Sequence, residues 1–462
     1  MKSKKIFILI PDGVGLRNFA FTSFVEIGKK NGWDIIFWNQ TPFDLKALGF
    51  KEIKISGKPR AITDLYKRAK INTELNYFSE KFKDPVFQEY KFINKGSGLK
   101  NAFKNILVKQ FTDSFSRGKG LQRLQTKLQN SERGNDLYND CKNTLIEQNP
   151  DFVFCTNQRP IKALAPLLAA KDLEIPTATF IFSWDNLPKA TMVVNADHYF
   201  VWSGYMKNEL LKYYPQIQNS QIKITGTPQF EVHFLEKTKI EKEKFYQDFN
   251  LESKRQYLCY SGDDITTAPH DELYLLHTAK AVSRMNSEGY NLGIIFRRSP
   301  VDLSKRYDSV LAEFEDIIVP IEPLWVKISD GWDAILPTRK DLKLQSNIIQ
   351  HTFMVVNVAS SMVFDYISYG KPCAYINYNP EEIEWIKDTR SIYRYVHFKS
   401  MPSRNSALWI NEVGEIESVI KTGLEGDNSE VLGNAKKWFE IINEHPVSNA
   451  NERIWNAIEE II

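Results

Sequence analysis

Residues 357–365 read Asn357-Val358-Ala359-Ser360-Ser361-Met362-Val363-Phe364-Asp365 and follow the apolar stretch Phe353–Val356. Two hydroxyl residues opening a helix combine free backbone N–H groups, the positive end of the helix dipole and side-chain donors. At Ser360 and Ser361 that combination suits a diphosphate, and plain capping of the helix by Ser360 is the competing role. Gly370 and Pro372 then stop the helix. Ser261-Gly262-Asp263 closes another apolar stretch, and its amides can meet a phosphate or a sugar, or cap the next segment. Arg297-Arg298 follows a third stretch, where a guanidinium pairs with phosphate oxygens or with a nearby carboxylate. Gly226-Thr227-Pro228 follows a fourth. Gly226 permits close backbone approach and Pro228 sets a turn, for a ligand or for a passage between domains.

Each of these groups lies just after a run that reads as a buried strand. The apolar pattern predicts strands at Lys5–Ile10, Asp34–Trp38, Phe152–Thr156, Thr177–Phe182, Asp197–Trp202 and Gln221–Thr225. A second series follows at Tyr257–Ser261, Leu292–Phe296, Ile317–Ile321, Phe353–Val356 and Cys373–Ile376. Helical patterns alternate with them, one following the loop Pro11–Leu16 and running through Lys30 and others falling at Ile161–Lys171, Tyr205–Tyr214, Asp271–Asn286, Leu342–Gln350 and Met362–Tyr369. Two more close the chain, around Glu430–Asn443 and Asn449–Ile462. Alternating strands and helices predict doubly wound parallel sheets, which bind ligands beyond the carboxyl ends of their strands. The charged stretch Glu236–Lys244 reads as a linker, giving domains at 1–235 and 236–445 and a terminal helix at 446–462 expected to pack back on the first domain. Residues 51–149 read as a polar, mostly helical insertion.

The chain has 462 residues, 42% of them hydrophobic and 25% charged, with a formal net charge of +3. That balance is globular, and so small a charge gives no reason to expect a nucleic-acid partner. Cys141, Cys155, Cys259 and Cys373 lie far apart with no paired spacing, which argues against a zinc site or a disulfide framework. The apolar runs in or beside which Cys155, Cys259 and Cys373 lie read as a reduced core and a reducing compartment. The apolar run Ile6–Ile10 ends at Pro11-Asp12-Gly13, short of the ~7–15 residues of a signal-peptide core. No stretch nears the roughly 20 apolar residues of a membrane span. A cytoplasmic protein is expected, at most peripheral to a membrane. Within Lys91–Lys127 stand nine basic residues, including Lys100, Lys104 and Lys109, against the single acid Asp113. Leu99, Phe103, Ile106, Leu107, Phe111 and Phe115 recur between them at helical spacing. Such a helix either sits on anionic lipid, beside a lipid-linked acceptor, or packs on its own domain with its charges solvated.

The serine-rich helix start, Asp365 one turn on and then Gly370-Lys371-Pro372 resemble the donor-site motif of GT-B glycosyltransferases. The nearest type is that of bacterial surface-polysaccharide enzymes, including the CDP-glycerol glycerophosphotransferase-like group. Phe182-Ser183-Trp184-Asp185-Asn186-Leu187, Asp197-His198-Tyr199-Phe200-Val201-Trp202 and the later Gly226-Thr227-Pro228 are similar to the end of the first GT-B domain. The resemblance implies two Rossmann-like domains facing across a cleft, with a nucleotide-sugar, UDP-linked by preference, as substrate and no cofactor. It also implies that Ser360 and Ser361 meet the donor diphosphate, Asp365 the ribose, and Arg297 or Arg298 the phosphates, although this chain lacks the usual His before its Pro300. No Asp-x-Asp occurs in the chain and no Glu-x7-Glu surrounds Asp365, so a metal-independent, inverting transfer to a glycan or lipid-linked acceptor is expected. Its base would be Asp12, in the loop after the first strand, or else Asp185. A UDP-sugar 2-epimerase of the same architecture, or a non-catalytic binder of sugar nucleotides or glycans, is the alternative. Epimerase and transferase differ in whether turnover needs an acceptor.

Overall fold

The computed structural model describes residues 4–91, 98–328, 335–384 and 388–462. It divides into two compact units: Met1–Pro228 with Ile442–Ile462, and Gln229–Ile441.

The first unit is built on a seven-stranded parallel sheet. Its strands are β1 (Lys5–Ile10), β2 (Asp34–Asn39), β3 (Glu52–Lys54), β4 (Phe152–Cys155), β5 (Thr177–Phe180), β6 (His198–Val201) and β7 (Ile222–Ile224). Their order is β3-β2-β1-β4-β5-β6-β7. Sequences such as Lys5-Ile-Phe-Ile-Leu-Ile10 and Phe152-Val-Phe-Cys155 are apolar without alternation, because helices cover both faces of a parallel sheet. The helical pattern expected through Lys30 is broken into Val14–Phe19 and Phe24–Lys30. The break lies where the Thr22 hydroxyl turns back to the Asn18 carbonyl at 2.6 Å, a local bond that competes with the helix. The insertion forms helices Ala61–Phe82, Val86–Glu89, Leu99–Ser114, Gly120–Asn130 and Asp136–Gln148. Lys95 and the side chain of Lys100 lie outside the described residues.

The chain returns to this unit at its end. Trp455 of the helix Ala450–Glu459 stacks on Phe24 at 4.8 Å and donates from Nε1 to the Phe24 carbonyl at 2.7 Å.

The second unit has a six-stranded parallel sheet of β8 (Gln256–Ser261), β9 (Leu292–Arg297), β10 (Ile318–Pro320), β13 (Val355–Asn357), β14 (Cys373–Ile376) and β15 (Leu408–Ile410). A separate antiparallel pair, β11 (Val326–Lys327) and β12 (Ile335–Leu336), intervenes in sequence. The sheet order is β10-β9-β8-β13-β14-β15. Numbered within each sheet, both begin 3-2-1-4-5-6. The chain leaves the first strand in one direction and comes back on its other side, so a switch point opens between strands one and four. The four cysteines are buried and unpaired. Burial pushes Cys141, Cys155 and Cys373 up to about 12 and Cys259 to about 11, so all four stay thiols.

Candidate functional site

In the second unit the switch point lies between β8 and β13, which pair with Tyr260 opposite Val356. The loops selected in the sequence therefore emerge side by side. After β8, the Gly262 amide donates to the Arg297 carbonyl at 2.9 Å. A Cβ on Gly262 would lie 3.0 Å from the Tyr307 hydroxyl and 3.2 Å from the Phe296 ring, so any side chain there would have to push these neighbours aside by a few tenths of an ångström. The Asp263 amide donates to Asp271 at 3.0 Å, and Asp271 also accepts from Tyr260 at 2.8 Å and Tyr307 at 2.7 Å. Burial pushes Asp271 up to about 6 against the pull of the Tyr307 hydroxyl. Asp263 is held well above the usual carboxylate range, first by burial and then by its neighbours Asp264 and Asp271. Both causes favour the protonated form, which unlike the carboxylate does not repel a phosphate.

After β13, Asn357 accepts from the Ser360 amide at 2.9 Å and fixes the loop. Between them Ala359 holds the left-handed conformation, at φ +53°, and its amide donates to the Tyr393 hydroxyl at 3.1 Å. Such strain in a residue with a side chain persists where surrounding contacts over-determine it, commonly at ligand sites. The Ser360 hydroxyl accepts weakly from the Met362 amide at 3.4 Å, and Ser361 opens the helix Met362–Ile367 without capping it through its side chain. That helix has only six residues, so the hydroxyls and loop amides carry more of any anion contact than the dipole does.

The other expected donor contacts are engaged within the fold. Arg297 is buried and gives both oxygens of Asp341 a hydrogen bond at 2.9 Å. Arg298 pairs with Glu322 at 3.1 Å and donates to the Ser304 carbonyl at 3.2 Å. Asp365 is buried against His233 Nε2 at 2.7 Å. Gly226, at φ +74°, Thr227 and Pro228 belong to the first unit. A Cβ on Gly226 would lie 2.8 Å from Arg453 Nη2. The Thr227 amide donates to Asn443 at 2.9 Å, and Arg453 Nε to the Thr225 carbonyl at 2.8 Å. These contacts fasten the returning C-terminal segment.

The switch point of the first unit lies between β1 and β4. Asp12, after β1, accepts from Asn157 Nδ2 at 2.8 Å. It is 8% exposed, and burial raises its pKa while the Arg159 cation opposes the rise. Lys67, on the helix Ala61–Phe82, is lowered by burial and then by Arg159. Asp185, after β5, is ion-paired with Lys189 and accepts from Asn186 at 2.9 Å. The loop after β4 ties both places together, because Gln158 donates to Asn186 at 3.1 Å and accepts from the Phe182 amide at 3.0 Å. Asn157, Gln158, Arg159 and Lys67 were not singled out from the sequence. The run Thr156-Asn157-Gln158-Arg159 directly after a strand would have pointed to the first three. Glu209, in the helix Gly204–Tyr213, was also missed. It is 6% exposed with Oε2 unpartnered, and burial pushes it up to about 8 against the pull of Lys212.

Elsewhere in this unit an open cavity of about 320 Å³ is lined by Arg60, Tyr66 and Lys127, among others. Among the described residues no group of acids, histidines or cysteines is placed to hold a metal ion, and no helix is long and apolar enough to cross a membrane.

No protein-family model matches the chain, and no curated protein sequence matches it. Solved structures do. UDP-GlcNAc 2-epimerase from Neisseria meningitidis bound to UDP-GlcNAc aligns with 99% of this chain and 100% of its own, at a TM-score of 0.55 and 12% identity. UDP-GlcNAc 2-epimerase from Methanocaldococcus jannaschii aligns over 99% of each chain at 0.53 and 14%. The S. aureus MnaA–UDP complex aligns over 99% of this chain and 96% of its own at 0.53 and 12%. At these identities the likeness assigns the architecture: two Rossmann-like units of the GT-B fold.

Proposed function

We propose that the protein binds a UDP-sugar through the second unit and changes the configuration of the sugar at C2. The observation carrying the nucleotide assignment is the 3-2-1-4-5-6 sheet order, with Gly262-Asp263 and Ala359-Ser360-Ser361 on the two sides of its switch point. The UDP-sugar and the 2-epimerase chemistry are taken from the names of the structural neighbours with TM-scores above 0.5. Inverting a carbon takes a proton from one face and returns one to the other, which calls for an acid–base group on each face with a pKa near the working pH. Asp12 is the base of that pair in this reading. Burial moves its carboxyl in the required direction, and Asn157 fixes one oxygen.

Transfer of the sugar to an acceptor is the second reading, including the CDP-glycerol-like form of the sequence resemblance. The observation favouring it is the basic, partly apolar surface of the helical insertion, which suits a lipid-linked acceptor. In transfer, Asp12 would take the proton of the acceptor hydroxyl.

Proton NMR of UDP-GlcNAc incubated with the protein alone separates the readings. Epimerisation predicts the C2 epimer without any acceptor, and Asp12→Asn should slow it by about 100-fold or more with UDP binding retained. Turnover that begins only when a glycan or lipid-linked acceptor is added would replace the first reading by the second. Unimpaired turnover in Asp12→Asn would remove Asp12 from either mechanism.

A further inference from the structure

The helix Leu99–Ser114 carries apolar residues on two faces. One face is internal: Val108 is buried with Leu65, Ala69 and Leu124, and Leu107, Phe111 and Phe115 pack against that cluster. The other is open. Leu99 is 91% exposed, Phe103 61% and Ile106 55%. Steps of four and three residues put these three on one stripe of the helix. The packing of the helix on its own domain thus accounts for three of the six apolar residues noted in the sequence and leaves the other three uncovered.

Along this stretch of the chain the charge has almost one sign. Lys104, Lys109, Arg117 and Lys119 are exposed, as are Arg123 and Lys127 on the following helix Gly120–Asn130. None of these six is in an ion pair with another described residue. Asp113 is the only acid from Lys91 to Lys127. A second folded protein would satisfy the apolar stripe, but six exposed cations on the same helix, the turn after it and the following helix fit a surface whose negative charge is dense, continuous and fluid.

We propose that this face docks the protein on an anionic phospholipid bilayer, with Leu99, Phe103 and Ile106 entering the headgroup boundary and the cations holding lipid phosphates. The docking does not depend on which reaction the protein catalyses.

The test is co-sedimentation of the full chain with vesicles of phosphatidylcholine alone and of three parts phosphatidylcholine to one part phosphatidylglycerol. Binding to the anionic vesicles at low salt is expected, falling by about tenfold or more at high salt as the charges are screened. Lys104→Glu with Lys109→Glu and Lys119→Glu should weaken it by at least about fivefold per residue. Leu99→Ser with Phe103→Ser and Ile106→Ser should weaken it by about tenfold or more at constant charge. These side chains are exposed, so both variants should keep the helicity and UDP affinity of the parent. Equal binding to the two vesicle types, or no binding to the anionic ones at low salt, would overturn the proposal. So would a self-association that the triple serine variant abolishes while vesicle binding is absent, because the stripe would then belong to a second copy of the chain.

Discussion

Glu209 shows what burial does to a single carboxyl. Its native pKa of about 8 lies above the ordinary 4.5, so the folded chain keeps a proton there that the unfolded chain gives up. The stability this adds is complete below about pH 4.5, declines as pH rises and is gone above about pH 8. Glu209→Gln stays neutral throughout. Urea unfolding should therefore find the variant and the parent alike near pH 4.5 and the variant more stable by a few kcal/mol, on the order of the shift, above pH 8. Parallel stability curves would contradict the assignment. The place of Asp12 at the first switch point was legible because it follows an apolar strand, where a doubly wound sheet puts its ligand-facing loops. Glu209 was not, since Met206-Lys-Asn-Glu-Leu-Leu211 reads as a surface helix and only the tertiary fold buries it.

Strands were the elements most readily read. Lys5–Ile10 and Cys373–Ile376 have the bounds their apolar runs indicate, because strands buried on both faces need continuous apolar residues. The edge strands Glu52–Lys54 and Leu408–Ile410 went unseen, being three residues long and too short for a periodic signal. The loops were read by position, but their partners were not. Arg297 looked like a phosphate ligand; Asp341, its actual partner, is 44 residues away in sequence and also accepts from the Leu324 amide at 2.7 Å and from Trp325 Nε1 at 2.7 Å. Asp341 thus joins the strand end, the segment at 324–325 and the helix Arg339–His351. Asp341→Ala leaves a buried guanidinium without its carboxylate and should cost the second unit about 3–5 kcal/mol in urea unfolding. A loss under about 1 kcal/mol would mean that the pair is dispensable and Arg297 free to serve a ligand.

At the scale of the whole molecule, two runs of alternating strands and helices were enough to indicate two doubly wound units, and the sheet orders agree. The C-terminal helix was expected to pack back on the first domain, but the residues through which it does so carry no local signature. Trp455 meets Phe24 across more than 400 residues, and nothing in the composition of either segment announces the other. The same limit applies to chemistry: position after a strand identified both serines at the second switch point, while the reaction was inferred from resemblance. The account stands on a nucleotide diphosphate binding between β8 and β13. Its most direct test is calorimetric titration of UDP into the parent protein and into Ser360→Ala with Ser361→Ala. Hydrogen bonds to a charged group contribute about 1.5–3 kcal/mol each, so the double variant should bind at least about tenfold more weakly, with its thermal transition unchanged. Equal affinity in the two proteins, or no binding of UDP to the parent, would contradict it.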